Sequence, residues 1–66
     1  MKNNLKVLRA MAEISQADLA EKISVSRQTI NAMEKGKYIP STLLALKLAV
    51  FFKKRVEEIF ELEEID

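Results

Sequence analysis

The chain contains a single glycine and a single proline, and Gly36 and Pro40 lie in the same short loop. These two residue types are the strongest interrupters of regular structure, so the rest of the chain is free to form helices. Alternating apolar and polar runs, which indicate strands, are nearly absent. The sequence therefore predicts an all-α fold, and its length of 66 residues predicts one domain over residues 1–66.

Apolar residues recur at helical spacing in five segments, each a candidate helix with one face in a core. The predicted helices cover about residues 4–12, 16–23, 27–35, 42–52 and 56–60. Ser15, Ser26 and Ser41 precede three of them and are the expected N-caps. Gly36 is expected to end the third helix in a left-handed conformation. The alternation in residues 60–63 permits a short strand, for which residues 1–3 are the candidate partner.

The second and third helices are separated only by the turn Ser24–Val25 and the N-cap Ser26. Two short helices joined by so tight a turn indicate a helix-turn-helix. The third helix begins with hydrogen-bonding side chains, among them Arg27, Gln28 and Asn31. Arg pairs well with the edge of guanine, and Gln and Asn pair well with adenine, so this helix suits the major groove of DNA. The plainer interpretation is that these are ordinary polar residues on a surface helix.

Several features occur together between Ile14 and Ser41, in the segment ISQADLAEKISVSRQTINAMEKGKYIPS. This segment resembles the Cro and phage-repressor type of helix-turn-helix regulators, also called the XRE family. The resemblance extends from Leu5 to Phe60 and implies a compact five-helix, lambda-repressor-like DNA-binding domain. Members often have Gly in the turn where this chain has Ser24, which would have to adopt a left-handed conformation at a modest cost.

The resemblance implies a sequence-specific DNA-binding transcriptional regulator, a repressor that binds an inverted-repeat operator as a homodimer. The implied base contacts are Arg27, Gln28 and Asn31. The third helix is the one that would read the bases. The implied phosphate contacts are Gln16, at the start of the second helix, and the residues around the third helix, which are Ser26, Thr29, Lys35, Lys37 and Tyr38. Arg9 and Glu34 match positions that form an ion pair in phage repressors, although two unrelated surface charges would give the same sequence.

The fourth helix is apolar nearly all round, and such a helix must be buried on nearly all sides. Ala45, Leu48, Ala49 and Phe52 suffice for its inward face, which leaves Leu44 and several others over. The surplus predicts a dimer interface rather than a merely apolar surface. The residues assigned to that interface are Leu43, Leu46, Val50, Phe51, Phe60 and Leu62.

Charge is distributed unevenly along the chain. All 11 Lys and Arg lie within residues 1–56 with only four of the 10 acids, so this part carries +7 and residues 57–66 carry −6. A basic body with an acidic tail is compatible with a polyanionic partner. The plainer interpretation is a solvated surface with a mobile acidic end.

The chain has no cysteine and no histidine, so it lacks the commonest metal ligands and general base. We therefore expect no enzyme activity and no metal, cofactor or small-molecule ligand. The expected partners are double-stranded DNA and a second copy of the chain. No membrane-length apolar run or signal peptide is present, so a cytoplasmic location is expected. The alternative function is an antitoxin or protein-interaction module of a toxin–antitoxin pair.

Overall fold

The computed structural model describes all residues, 1–66, and contains five helices and a two-stranded antiparallel sheet. The helices are α1 (Leu5–Met11), α2 (Gln16–Lys22), α3 (Arg27–Glu34), α4 (Thr42–Phe52) and α5 (Val56–Ile59). The strands are β1 (Lys2–Asn3) and β2 (Phe60–Glu61). The predicted fold class is confirmed, including the pairing of the chain's two ends. None of the helices is both long and apolar enough to cross a membrane.

Serine side chains begin three of the helices, as the sequence predicts. The hydroxyl oxygens of Ser15, Ser26 and Ser41 accept hydrogen bonds from backbone N–H groups at 3.0, 3.1 and 3.2 Å. Asp18 completes a capping box by accepting from the backbone N–H of Ser15. Each cap satisfies an amide that has no partner inside its own helix. The first turns of α2, α3 and α4 are therefore fixed by local sequence.

Helices α1 to α4 all end with a residue in the left-handed conformation. Gly36 follows α3 with φ 71° and Ser24 follows α2 with φ 60°, so the serine adopts the conformation expected of it. Glu13 and Lys53 end α1 and α4 with φ 57° and 56°, which the sequence does not indicate. At each end a paired hydrogen-bond pattern satisfies the last carbonyls; after α3, for example, the amides of Gly36 and Lys37 donate to Met33 and Ala32.

The two ends of the chain are joined by β1 and β2, in which Lys2 lies opposite Glu61 and Asn3 opposite Phe60. The amino group of Met1 lies 3.0 Å from a Glu63 carboxylate oxygen and 3.1 Å from one of Asp66. These carboxylates raise the pKa of the amino group. Part of the acidic tail, expected to be solvated and mobile, is therefore engaged with the start of the chain.

Ten buried hydrophobic residues form one cluster: Leu5, Leu19, Ala20, Ile23, Ile30, Met33, Leu44, Leu48, Ile59 and Phe60. Phe60 is only 7% exposed, so its assignment to a dimer interface is wrong; pairing of β2 with β1 keeps it in the protomer's own core. Leu44, expected to be left over on the outside of α4, is also buried. Ala12, the last residue of the predicted first helix, is exposed and lies just beyond the end of α1.

Candidate nucleic-acid interface

Helix α3 has an apolar face and a polar face. Ile30 and Met33 are fully buried and fix α3 against the rest of the core. Arg27 and Gln28 lie in the first turn and are exposed, while Asn31 is half-buried one turn later. The core therefore sets the rotation of the helix about its axis, and that rotation turns its hydrogen-bonding start toward solvent.

The structure brings the three predicted base-reading residues together with one from α2. Gln16, Arg27, Gln28 and Asn31 line a shallow recess of about 240 Å³ with no apolar residue in its wall. Three of these side chains are amides and one is a guanidinium, so the recess offers both donors and acceptors. This is the chemistry needed to pair with the edges of bases in the major groove.

Arg9 of α1 contacts Glu34 at the end of α3 through two parallel hydrogen bonds. Its Nε and one terminal nitrogen donate to the two carboxylate oxygens at 2.8 and 3.2 Å. The other terminal nitrogen donates to the carbonyl oxygen of Ile14 at 3.0 Å. The Glu34 side chain is only 5% exposed. This planar two-point contact ties the end of α3 to α1, in the arrangement that the family resemblance implies.

The charge of Glu34 is maintained by these hydrogen bonds. Burial alone disfavours the ionised carboxylate, but donation from Arg9 and Gln16 outweighs it and holds the pKa of Glu34 below its ordinary value. The same contact raises the pKa of Arg9. The pair is therefore ionised at neutral pH, and Glu34 acts only as a hydrogen-bond acceptor.

Gln16, expected to contact phosphate from the start of α2, is engaged within the protein. Its Nε2 donates to Glu34 Oε1 at 3.0 Å and to Asn31 Oδ1 at 3.3 Å. Sequence reasoning missed this connection, because Gln16 and Asn31 belong to different helices. The only signal available was the spacing of Asn31 and Glu34 on α3, since residues three apart share one face of a helix.

The remaining predicted phosphate contacts surround the start and end of α3. Ser26 and Thr29 hydrogen bond to each other through their hydroxyls at 2.9 Å. Lys35, Lys37 and Tyr38 are exposed in the segment that follows α3. Cations and hydroxyls at both ends of a polar helix can contact the phosphates on either side of a groove.

An apolar surface covers the outer side of α4. Leu43, Leu46 and Val50 are 65%, 52% and 78% exposed, and with Ile23 and Phe51 they line an open groove of about 470 Å³. Lys22, Ser24 and Lys47 complete its wall. Leu62, beyond β2, is 76% exposed. These large exposed side chains, grouped on one helix, form an apolar surface on the protomer.

Comparison with known proteins identifies the class to which this arrangement belongs. A family model described as helix-turn-helix matches residues 5–59. The chain is 56% identical over 64 residues to an uncharacterized HTH-type transcriptional regulator of Methanocaldococcus jannaschii, covering 97% of each chain. It is 52% identical over 64 residues to the uncharacterized HTH-type transcriptional regulator YgzD of Bacillus subtilis, again covering 97% of each.

A third relative, an uncharacterized HTH-type transcriptional regulator of Archaeoglobus fulgidus, is 42% identical over 64 residues, which cover 97% of this chain and 90% of the relative. These matches cover nearly the whole length of this chain and of each relative, so they extend beyond the two helices of the helix-turn-helix. The chain belongs to the XRE-type helix-turn-helix family of transcriptional regulators, as the segment from Ile14 to Ser41 predicts.

Proposed function

We propose that residues 1–66 act as one sequence-specific DNA-binding domain, with α3 as the helix that enters the major groove. The observation that carries this proposal is the polar recess at the start of α3. Its four side chains have no apolar neighbour in the recess wall, while the opposite face of the same helix is fully buried. A helix held in this way presents its first turn as a rigid projection, which is how helix-turn-helix proteins read base edges.

In this proposal Arg27, Gln28 and Asn31 contact bases, and the side chains around them contact phosphates. The side chains of Arg27 and Gln28 are exposed and make no hydrogen bond within the protein, so their donors and acceptors are free for DNA. Ser26, Thr29, Lys35, Lys37 and Tyr38 would fix the register of the protein on the duplex. Gln16 contributes through Asn31, to which it donates a hydrogen bond.

The protein is further proposed to bind as a homodimer through the outer side of α4, with Leu43, Leu46, Val50 and Phe51 as the contact and Leu62 beside it. One reading helix spans too few base pairs for a useful specificity ratio. The protomer is 32 Å in its longest dimension, close to the roughly 34 Å of one turn of DNA. In the proposed dimer, two protomers of this size place their reading helices in successive turns of the major groove.

A two-fold axis between the protomers requires an operator with inverted symmetry, its half-site centres about ten base pairs apart. The resemblance to phage repressors supports repression as the outcome. A dimer lying over two successive grooves would exclude other proteins from the same stretch of duplex.

Selection of bound DNA from a random pool, with the full chain as bait, tests this proposal. We expect the selected sequences to converge on an inverted repeat with the spacing given above. The affinity for that repeat should exceed the affinity for random DNA by at least about a thousandfold. Selected sequences with no common element, or binding that does not distinguish the repeat from random DNA, would contradict it. A single, unrepeated element would contradict only the proposed dimer and not the proposed DNA-binding function.

A further inference from the structure

Residues 62–66 form a turn that is held against the start of the chain. The backbone N–H of Glu63 donates to a carboxylate oxygen of Asp66 at 2.8 Å, and the N–H of Asp66 donates to the carbonyl oxygen of Glu63 at 3.0 Å. The amino group of Met1 contacts the carboxylates of both residues. This segment, called here the terminal turn, therefore has a defined conformation on the surface of the protomer.

The terminal turn exposes apolar side chains together with free carboxylates. Leu62 is 76% exposed, and Ile65, at 90%, is the most exposed large apolar side chain of the chain. Glu61 and Glu64 are also exposed and take part in no ion pair. The turn thus presents two apolar side chains beside negative charges that have no partner within the protomer.

The groove on the outer side of α4 has the complementary character. Five apolar residues line it, namely Ile23, Leu43, Leu46, Val50 and Phe51. Lys22 and Lys47 belong to the same wall, and both are exposed and outside every ion pair. A volume of about 470 Å³ has room for more than one apolar side chain. A segment that carries apolar side chains and carboxylates would contact both the apolar wall and the lysines favourably.

We infer that the groove on α4 receives the terminal turn of a second copy of this chain. Leu62 and Ile65 of the partner subunit lie against the apolar wall. Glu64 of the partner subunit lies beside Lys47. The inference rests on the proposed function, in which the outer side of α4 is the dimer contact, and it names the segment that covers this contact. The occupant is a second copy because the complementary segment is present, exposed and unpaired, on this chain itself.

The groove and the terminal turn border one continuous surface, as a two-fold contact requires. Met1, which holds the turn, lines a second recess of about 250 Å³ together with Phe60 and Leu46. Leu46 also lines the groove. In a two-fold interface both copies contribute the same patch, so a contact of one residue with another occurs twice. An axis between the turn and the groove would therefore place each turn in the groove of the other copy.

Charge reversal on the two sides of the contact tests this arrangement. Lys47→Glu makes the groove acidic, and Glu64→Lys makes the terminal turn basic. Each variant alone should dimerise at least about tenfold more weakly than the unmodified chain, since like charges then meet at both contacts of the dimer. Sedimentation over a range of concentrations gives the dissociation constants, and circular dichroism checks that both variants are folded.

An equimolar mixture of the two variants should dimerise about as tightly as the unmodified chain. In the mixed dimer the reversed turn meets the reversed groove, and the unaltered turn meets the unaltered groove. Both contacts then join opposite charges. A turn that folded into the groove of its own protomer would give no such recovery on mixing, so the mixture shows that the contact joins two copies.

The apolar part of the contact is tested by Ile65→Ser, which should weaken dimerisation by about tenfold because the side chain is buried at both contacts. Met11→Ser is the matched control. Met11 is 74% exposed at the end of α1, away from the groove, so its replacement should leave the dissociation constant unchanged.

Dimerisation that Val50→Glu abolishes but that Glu64→Lys and Ile65→Ser leave unchanged would overturn the inference, while the proposed dimer through α4 would stand. A mixture of the two charge variants that dimerises no more tightly than either alone would overturn it as well. An unmodified chain that remains a monomer at micromolar concentration, with and without operator DNA, would contradict the proposed dimer and with it the inference. The two failures are therefore distinguishable.

Discussion

Glu34 links the stability of the protein to the geometry of its polar recess. It accepts hydrogen bonds from Arg9 on α1 and from Gln16 on α2, while belonging to α3 itself. One buried carboxylate thus holds the three helices in a fixed relation. If Arg9 or Gln16 were replaced, the buried carboxylate of Glu34 would lose a partner that compensates its charge. The free energy of unfolding would then fall by more than the energy of the lost hydrogen bond.

The Arg9–Glu34 pair predicts both a coupling energy and a pH dependence. A double-mutant cycle with Arg9→Met and Glu34→Gln should give a coupling of about 1–2 kcal/mol in the free energy of unfolding. The pKa of Glu34 is lowered in the folded state. Its contribution is therefore complete above the ordinary glutamate pKa and is lost as the pH falls through the lowered one.

Urea unfolding measured across the acidic pH range checks these expectations. Glu34→Gln should flatten the fall in stability at acid pH, whereas Glu57→Gln, at an exposed carboxylate outside every ion pair, should not. Additive effects in the cycle, or an acid response equal in the two variants, would show that the pair contributes no stability.

Base contact and phosphate contact predict different consequences for two cationic residues near α3. Arg27→Ala should cost about 1–3 kcal/mol on the preferred site and relax the preference at one base position. Lys37→Ala should weaken binding to all sequences alike and reduce the slope of log affinity against log salt by about 1. Titrations of specific and random duplexes at several salt concentrations measure both. Equal weakening on both duplexes by Arg27→Ala would exclude its base-reading role.

The ends of the helices store conformational strain that glycine would remove. Glu13 and Lys53 occupy the left-handed region after α1 and α4, where a side chain costs about 1–2 kcal/mol. Gly36 occupies the same region after α3 without that cost. A Cβ at Gly36 would lie 3.6 Å from the Met1 carbonyl oxygen, an ordinary contact. The preference for glycine there is therefore due to backbone conformation rather than to lack of space.

We expect Glu13→Gly and Lys53→Gly each to raise the free energy of unfolding by about 1 kcal/mol, since the relief of strain exceeds the added freedom of the unfolded chain. Gly36→Ala should lower it by a similar amount. The matched control is Glu21→Gly, an exposed position inside α2, which should be destabilising by about 0.5–1 kcal/mol. Thermal and urea unfolding provide the values. If Glu13→Gly and Lys53→Gly were destabilising like the control Glu21→Gly, the left-handed residues after α1 and α4 would not be strained.

The whole protomer has two faces of opposite character. Gln16 and the start of α3 form a polar face, while Leu43, Leu46 and Val50 form an apolar one on α4. A stable interface buries about 800 Å² on each partner, about a sixth of the 4799 Å² accessible to solvent here. The outer side of α4, with Leu43, Leu46 and Val50, is an apolar surface of the protomer that suits such an interface.

Val50→Glu should convert the proposed dimer to a monomer, because Val50 is 78% exposed in the protomer and has no place in its core. The helical content should be retained and specific DNA binding should be lost. Val7→Glu on the outer face of α1, where the valine is 59% exposed, should change neither property. Sedimentation at micromolar concentration, with and without operator DNA, distinguishes these results. An unmodified chain that sediments as a monomer under both conditions would rule out the dimer.

Local sequence was sufficient where the physical cause is local. Ser15, Ser26 and Ser41 could be identified as caps because a cap requires a hydroxyl a few residues before the amide it satisfies. Gly36 could be placed after α3 because a helix often ends at a residue in the left-handed conformation, which glycine adopts without steric cost. The motif from Ile14 to Ser41 predicted the family, because its small, apolar and capping positions recur at fixed separations.

Contacts between distant segments required the tertiary structure. The side chain of Phe60 could belong to a core or to a dimer until β2 was paired with β1, and Leu44 could face either way until the packing of α4 was fixed. The hydrogen bonds that join Gln16 to Asn31 and Glu34 cross 15 and 18 residues. No local pattern encodes them, because the direction of an amide depends on which groups the folded chain brings beside it.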